Sequence, residues 1–155
     1  MDKDVIILVR GTQSGENEDT NRLDLITEGK YYKKGGAYYI TYNESEVTGM
    51  NGTTTTLKIA DGIVTLTRSG SVNSMFVFER GHKHVSYYDT SYGAFTVGVF
   101  TNEVNIDVDD DGGEIRVGYE LDIDNNIAGA NDFHLYIREA GHFNDKLDFG
   151  YKARD

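Results

Sequence analysis

The chain of 155 residues contains no cysteine, no proline and no tryptophan. Without cysteine it has no disulfide, no thiolate nucleophile and no cysteine-ligated zinc or iron–sulfur site, which fits a reducing compartment. The apolar stretch at residues 5–9 is too short for a signal-peptide core and has no basic flank. No segment approaches the roughly 20 apolar residues of a membrane-spanning helix. We therefore expect a cytoplasmic protein with no membrane partner.

Positive charge is also scarce, since 15 basic residues stand against 26 acidic ones and the net charge is -11. Such a surface repels phosphate backbones, which argues against nucleic-acid binding. The acidic excess is concentrated between residues 102 and 126, where the single basic residue is Arg116. The acidic residues of this stretch are Glu103, Asp107, Asp109, Asp110, Asp111, Glu114, Glu120, Asp122 and Asp124. They serve solubility or, alternatively, form a surface for a basic protein partner.

Glycine turns divide the chain about every eight to twelve residues into runs rich in Val, Ile, Thr, Tyr and Phe. The turn signals are Lys34-Gly35-Gly36, Asp61-Gly62, Ser69-Gly70-Ser71, Arg80-Gly81 and Asp111-Gly112-Gly113. Two of the resulting hairpins place apolar residues opposite each other: Ile59–Val64 and Leu57–Leu66 around Asp61-Gly62, and Val108–Ile115 and Ile106–Val117 around Asp111-Gly112. This agreement supports strands rather than helices.

The pattern predicts an all-β fold: one antiparallel meander of about 8–10 strands that closes into a barrel. The absence of proline fits a closed barrel, because such a barrel has no edge strand that proline would protect. We expect a single domain over residues 1–155. The polar segment at residues 11–21 is predicted to be a mobile loop after the first strand.

Short, spaced motifs over residues 23–139 resemble those of the YwiB-like bacterial proteins. They are Gly29-x-Tyr31-Tyr32, Tyr39-Ile40-x-Tyr42-x-Glu44-x-Glu46, Arg68-x-Gly70, Tyr88-x-Thr90-x-Tyr92-Gly93 and Gly113-x-Ile115-x-Val117-x-Tyr119. The resemblance implies a small cytosolic protein with a calycin-like (lipocalin-like) β-barrel. It carries over no functional residue, because the family is functionally uncharacterised. The Asp109-Asp110-Asp111 run departs from the family pattern.

The strongest candidate site is a charged cluster at one mouth of the predicted barrel. Arg68 shares an inward alternation face with Leu66, and Glu44 and Glu46 continue the inward face of the preceding residues Tyr38, Ile40 and Tyr42. The two strands run in the same direction with one strand between them, so their ends meet at one rim. There Arg68 would bind a ligand carboxylate or phosphate, or would pair with Glu44 or Glu46 and plug the barrel. The ligand-binding prediction therefore comprises Tyr38, Ile40, Tyr42, Glu44, Glu46 and Arg68.

Other motifs carry less weight. Asp107-x-Asp109-x-Asp111-Gly112 matches the first half of a calcium loop, but Gly118 stands where the loop needs a bidentate Glu, so a solvated turn is favoured and calcium binding stays open. His82-x-His84 has a spacing used by zinc, with a third ligand required from His134 or His142. We assign no metal site, no cofactor and no catalytic residue.

Three kinds of function remain. A binding module would hold a small, partly apolar ligand, with or without an anionic group, in the barrel. A regulatory or protein-interaction module would act through the acidic hairpin at residues 103–124. An enzyme is disfavoured, because no acid, base and nucleophile are assembled by the sequence.

Overall fold

The computed structural model describes residues 2–14, 20–124 and 126–140, and these residues form ten β-strands and one short 3₁₀ helix at Glu46–Thr48. The strands are β1 (Asp2–Ser14), β2 (Thr20–Lys34), β3 (Ala37–Asn43), β4 (Thr53–Ala60), β5 (Ile63–Gly70), β6 (Asn73–Phe78), β7 (Lys83–Thr90), β8 (Gly93–Asp109), β9 (Gly112–Ile123) and β10 (Asn126–Glu139). Within these described ranges, no helix is long and apolar enough to cross a membrane.

Every strand pairs antiparallel with its neighbours in sequence, and β1 pairs with β10 to close the sheet into a barrel. Alternate residues of each strand point inward, and most of the inward residues are apolar. The predicted all-β meander barrel is therefore confirmed.

The Asp61-Gly62 hairpin has the predicted register. Ile59 lies opposite Val64 and Leu57 opposite Leu66. Both turn residues have positive φ, 54° and 77°. Positive φ at both central residues gives a two-residue turn the twist that matches its flanking strands.

The predicted register around Asp111-Gly112 is wrong by two residues. The turn is centred on Asp110-Asp111, and Asp109 pairs with Gly112. The two glycines are strand residues held against their neighbours: a Cβ on Gly113 would lie 2.0 Å from the carbonyl oxygen of Asp107. Only glycine fits there, so the glycines mark a close backbone approach rather than the turn. The inward faces are as predicted, because a shift of two residues preserves them.

The predicted loop at residues 11–21 is too long. Gly11–Ser14 continue β1, where they pair with β2 on one side and with β10 on the other. Thr20 and Asn21 already belong to β2, and residues 15–19 lie outside the described residues. Polar residues at Gly11–Ser14 and at Thr20 and Asn21 therefore belong to paired strands rather than to the predicted loop.

One end of the barrel is closed by tyrosines. The rings of Tyr31 and Tyr38 stack with centroids 5.3 Å apart. The Tyr31 hydroxyl donates to the carbonyl oxygen of Asp109 (2.7 Å) and the Tyr38 hydroxyl to Oδ1 of Asp110 (2.6 Å). These bonds join the β2–β3 hairpin to the β8–β9 turn, although the two hairpins are not neighbours in the sheet. They therefore tie together opposite walls at this end.

Candidate functional site

The barrel interior holds a cavity of about 520 Å³ at the end away from the tyrosine closure. Its mouth is formed by the ends of β1, β2 and β10 and by the segment that follows β3. The residues around the mouth are Gly11, Thr12, Gln13, Arg22, Leu23, Thr48, Met50, Asn131 and Asp132. The deeper walls are Val9, Leu25, Tyr42, Glu44, Leu57, Leu66, Arg68, Phe76, Phe78, Tyr119, Phe133 and Leu135.

Aromatic rings from three strands form the apolar side of the cavity. Phe78 of β6 lies with its ring centroid 4.8 Å from that of Tyr119 on β9 and 5.5 Å from that of Phe133 on β10. Phe76 contacts Phe78 edge-on at 6.3 Å. The tilted and edge-to-face arrangement is the favourable one for aromatic pairs and leaves a rigid apolar surface.

A row of polar side chains crosses part of the barrel wall. Consecutive cross-strand pairs link Tyr42 with Thr55, Thr55 with Arg68, Arg68 with Ser74 and Ser74 with Tyr88. These residues belong to five adjacent strands of the barrel wall. We call Tyr42, Thr55, Arg68, Ser74 and Tyr88 the polar row. Two of them, Tyr42 and Arg68, line the cavity together with the aromatic rings, which gives the cavity two chemically different zones.

Arg68 and Glu44 form the charged centre of the cavity. The Glu44 side chain is 2% exposed and that of Arg68 is 17% exposed, and Nε of Arg68 lies 3.8 Å from Oε2 of Glu44. That distance is an ion pair but too long for a hydrogen bond. The Thr55 hydroxyl donates a hydrogen bond to the same Glu44 oxygen. Within the described part of the chain, Nε of Arg68 is buried without a hydrogen-bond partner.

The surrounding tyrosines are held neutral. Burial, and secondarily the charge of Glu44, raises the pKa of Tyr42, while Arg68 opposes the shift. Burial likewise raises the pKa of Tyr119, again against the effect of Arg68. Both hydroxyls therefore remain protonated near neutral pH and can donate hydrogen bonds.

The structure brings together three of the six predicted ligand-binding residues. Tyr42, Glu44 and Arg68 line the cavity, and the predicted approach of Arg68 to Glu44 at one rim is present. The other three residues lie elsewhere. Ile40 is fully buried in the core.

Two of these placements correct the prediction. Tyr38 is at the opposite end of the barrel, bonded to Asp110, because alternation fixes the face of a residue but not its depth. Glu46 is exposed in the 3₁₀ helix, because β3 ends at Asn43 and the inward alternation stops there. A glycosidase-like pairing of Glu44 with Glu46 is therefore not formed.

The remaining sequence motifs do not assemble a site. Among residues 2–14, 20–124 and 126–140, no group of three or more His, Asp or Glu is arranged to hold a metal ion. His84 Nε2 lies 3.0 Å from Oε1 of Glu79, and His82 approaches the same carboxylate at 3.8 Å. His134 lies on β10, 2.9 Å from Glu114, and His142 lies outside the described residues.

The acidic turn is partly neutralised within the chain. Lys3 Nζ donates to the carbonyl oxygen of Asp110 (2.7 Å) and lies 3.4 Å from Oδ1 of Asp111. The backbone N–H of Asp111 donates to Oδ1 of Asp109 at 2.8 Å. The turn therefore uses its carboxylates to bind its own backbone and the start of β1.

The chain has relatives that share its fold. It is 28% identical over 109 residues to the uncharacterised β-barrel protein YwiB of Bacillus subtilis (strain 168), a match that spans 68% of this chain and 75% of that protein. The crystal structure of the ywiB protein from Bacillus subtilis superimposes with a TM-score of 0.76 at 19% identity, covering 90% of this chain and 93% of that one. The superposition confirms the barrel. The domain of unknown function DUF1934 matches residues 7–135, which confirms the resemblance, and the chain belongs to this family.

Proposed function

We propose that this protein is a non-catalytic binding module that holds a small, partly apolar ligand in the barrel cavity, with an anionic group of the ligand against Arg68. The proposal rests on the position of Arg68 and on the donor of its guanidinium that is unpartnered within the part of the chain that the structure describes. Its guanidinium stands inside a cavity, and among the described residues its buried Nε has no hydrogen-bond acceptor. A planar fork of N–H donors in this setting suits an oxyanion.

The dimensions of the cavity support a small-molecule ligand. A volume of about 520 Å³ falls within the roughly 300–1,000 Å³ of typical ligand pockets. Ligand pockets are mostly apolar with a few polar groups that fix orientation, and an aromatic surface beside Tyr42, Glu44 and Arg68 has that composition.

The two zones also set an orientation for the ligand. Arg68 lies nearer the mouth than Leu66 and Phe78, which follow the walls inward. A ligand that satisfies both zones places its apolar part against the aromatic rings and its anionic group toward the mouth. The net charge of -11 on the whole chain repels anions at long range, so binding depends on this local arrangement rather than on electrostatic attraction.

Binding of a fluorescent anion tests the proposal. Anilinonaphthalene sulfonate becomes fluorescent in an apolar site, and we expect the wild-type protein to bind it within the barrel. Arg68→Met keeps the length and apolar character of the side chain but removes the donors, and we expect it to weaken binding about tenfold or more. The matched control is Arg80→Met, since Arg80 is exposed and outside the cavity lining.

The outcomes separate a binding role from a structural one. Weaker binding by the folded Arg68→Met protein, with unchanged binding by the control, supports the proposal. Unchanged binding by Arg68→Met together with a large loss of stability would assign Arg68 to plugging the barrel and refute the proposal. The alternative role for the acidic hairpin at residues 103–124, binding of a basic protein, stays a prediction that salt-sensitive capture of such a protein would test.

A further inference from the structure

We infer that the ligand of the cavity is a carboxylate and that Glu44 is an internal competitor for Arg68 that limits its affinity. The inference rests on the proposed function. It adds the chemical class of the ligand and a residue of this chain that opposes its binding.

The geometry of Glu44 points to competition rather than to a completed ion pair. A carboxylate that satisfied Arg68 would lie within hydrogen-bond distance and bind it through two oxygens. Glu44 instead remains 3.8 Å from Nε of Arg68, and the hydroxyl of Thr55 holds the nearest oxygen. Glu44 supplies a compensating negative charge while leaving the donors of Arg68 available to another acceptor.

The charge in the cavity favours a single negative charge on the ligand. Among the described residues of the deeper walls, Arg68 is the one cation, and the carboxylate of Glu44 already lies 3.8 Å from it. A doubly charged phosphate would bring two further negative charges close to Glu44. A carboxylate adds one charge, is planar and matches the guanidinium fork.

The competition has a measurable consequence. A bound carboxylate would lie a few ångströms from Glu44, and at an effective dielectric near 20 this repulsion changes affinity by more than about tenfold. Glu44→Gln removes the charge but keeps the shape and an acceptor for the Thr55 hydroxyl. It should therefore tighten the binding of a carboxylate, which is the opposite of what loss of a ligand-contacting residue produces.

The experiment compares naphthoate with its neutral analogue naphthamide by isothermal titration calorimetry. We expect Glu44→Gln to bind naphthoate at least about tenfold more tightly than wild type. Naphthamide should bind both proteins with the same affinity, because it carries no charge. Glu46→Gln is the matched control, since Glu46 carries the same charge two residues away but is exposed on the 3₁₀ helix, and it should bind naphthoate as wild type does.

A second variant tests whether a closer contact between Glu44 and Arg68 weakens the binding of a carboxylate. Thr55→Val removes the hydroxyl that holds the Glu44 oxygen, so Glu44 is free to close on Arg68 and should weaken naphthoate binding several-fold. This variant keeps the inference falsifiable if Glu44→Gln does not fold.

The outcomes distinguish the inference from the proposed function. Naphthoate binding that Glu44→Gln leaves unchanged or weakens, or an equal gain for naphthamide, overturns the competitor role while the proposed function stands. Absence of binding of either compound to wild type and to every variant overturns both.

Discussion

Removing Arg68 alone should destabilise the barrel more than removing both members of the Arg68–Glu44 pair. Arg68→Met leaves the Glu44 carboxylate, which is 2% exposed, without a counter-ion. Glu44→Gln leaves the guanidinium without one. The double variant buries no charge at this position. The three variants together therefore form a cycle that isolates the interaction between the two side chains.

The magnitudes follow from burial and geometry. Breaking a buried ion pair by removing one partner costs about 3–5 kcal/mol. The contact is long at 3.8 Å and the Thr55 hydroxyl still bonds Glu44, so Arg68→Met should cost about 2–3 kcal/mol. Arg68 borders a cavity, where water can solvate it, so Glu44→Gln should cost about 1 kcal/mol. The double variant should also lose about 1 kcal/mol, which leaves a coupling of about 2–3 kcal/mol.

Urea unfolding followed by tyrosine fluorescence measures these free energies, with the slope of unfolding checked for each variant. If the two charges interact, the double variant is more stable than Arg68→Met alone. If the losses of the two single variants simply add in the double variant, the side chains do not interact and the electrostatic account of the cavity is refuted.

Two further predictions concern the barrel itself. Gly29→Ala should lose about 2–4 kcal/mol in urea unfolding, because its Cβ would lie 2.5 Å from a backbone carbonyl oxygen of β3. Gly11→Ala, where nothing lies within 4 Å of the added Cβ, should be nearly neutral, and equal losses for the two would contradict the packing argument. In an alkaline titration of phenolate absorbance, Tyr31 and Tyr42, whose pKa burial raises, should ionise only as the barrel unfolds. Because their pKa is raised in the folded barrel, these neutral tyrosines stabilise the barrel fully below about pH 10, and this stabilisation is lost as the pH rises further. Ionisation of all the tyrosines in a single step at about pH 10 would contradict the burial of Tyr31 and Tyr42.

Much of the fold could be predicted because its determinants are local. Alternation with period two assigns a face to each residue, and an Asp-Gly turn sets the register of the hairpin that contains it. Ile59 and Val64 lie opposite each other for this reason. The same local rules, extended over three antiparallel strands, placed Arg68 and Glu44 at one rim, and the structure has them 3.8 Å apart.

The rest of the site depends on how deep each residue lies in the barrel and on which strands face each other across its interior. Local sequence rules specify neither. Tyr38 shares a face with Tyr42, yet four residues along a strand separate them by about 13 Å and place Tyr38 at the other end. The aromatic surface joins Phe78 with Tyr119 and Phe133, which are far apart in sequence. In the sheet β6 is a neighbour of neither β9 nor β10, so these rings meet across the barrel interior, which the rules of alternation and turns do not specify.

Native mass spectrometry of the protein, purified without denaturation from its expression host, tests whether the cavity holds a ligand. We expect extra mass that disappears on unfolding, corresponds to a small organic acid and is absent from Arg68→Met purified in the same way. The mass of the bare chain for the wild-type protein, under conditions that keep the barrel folded, would contradict ligand binding in the cavity.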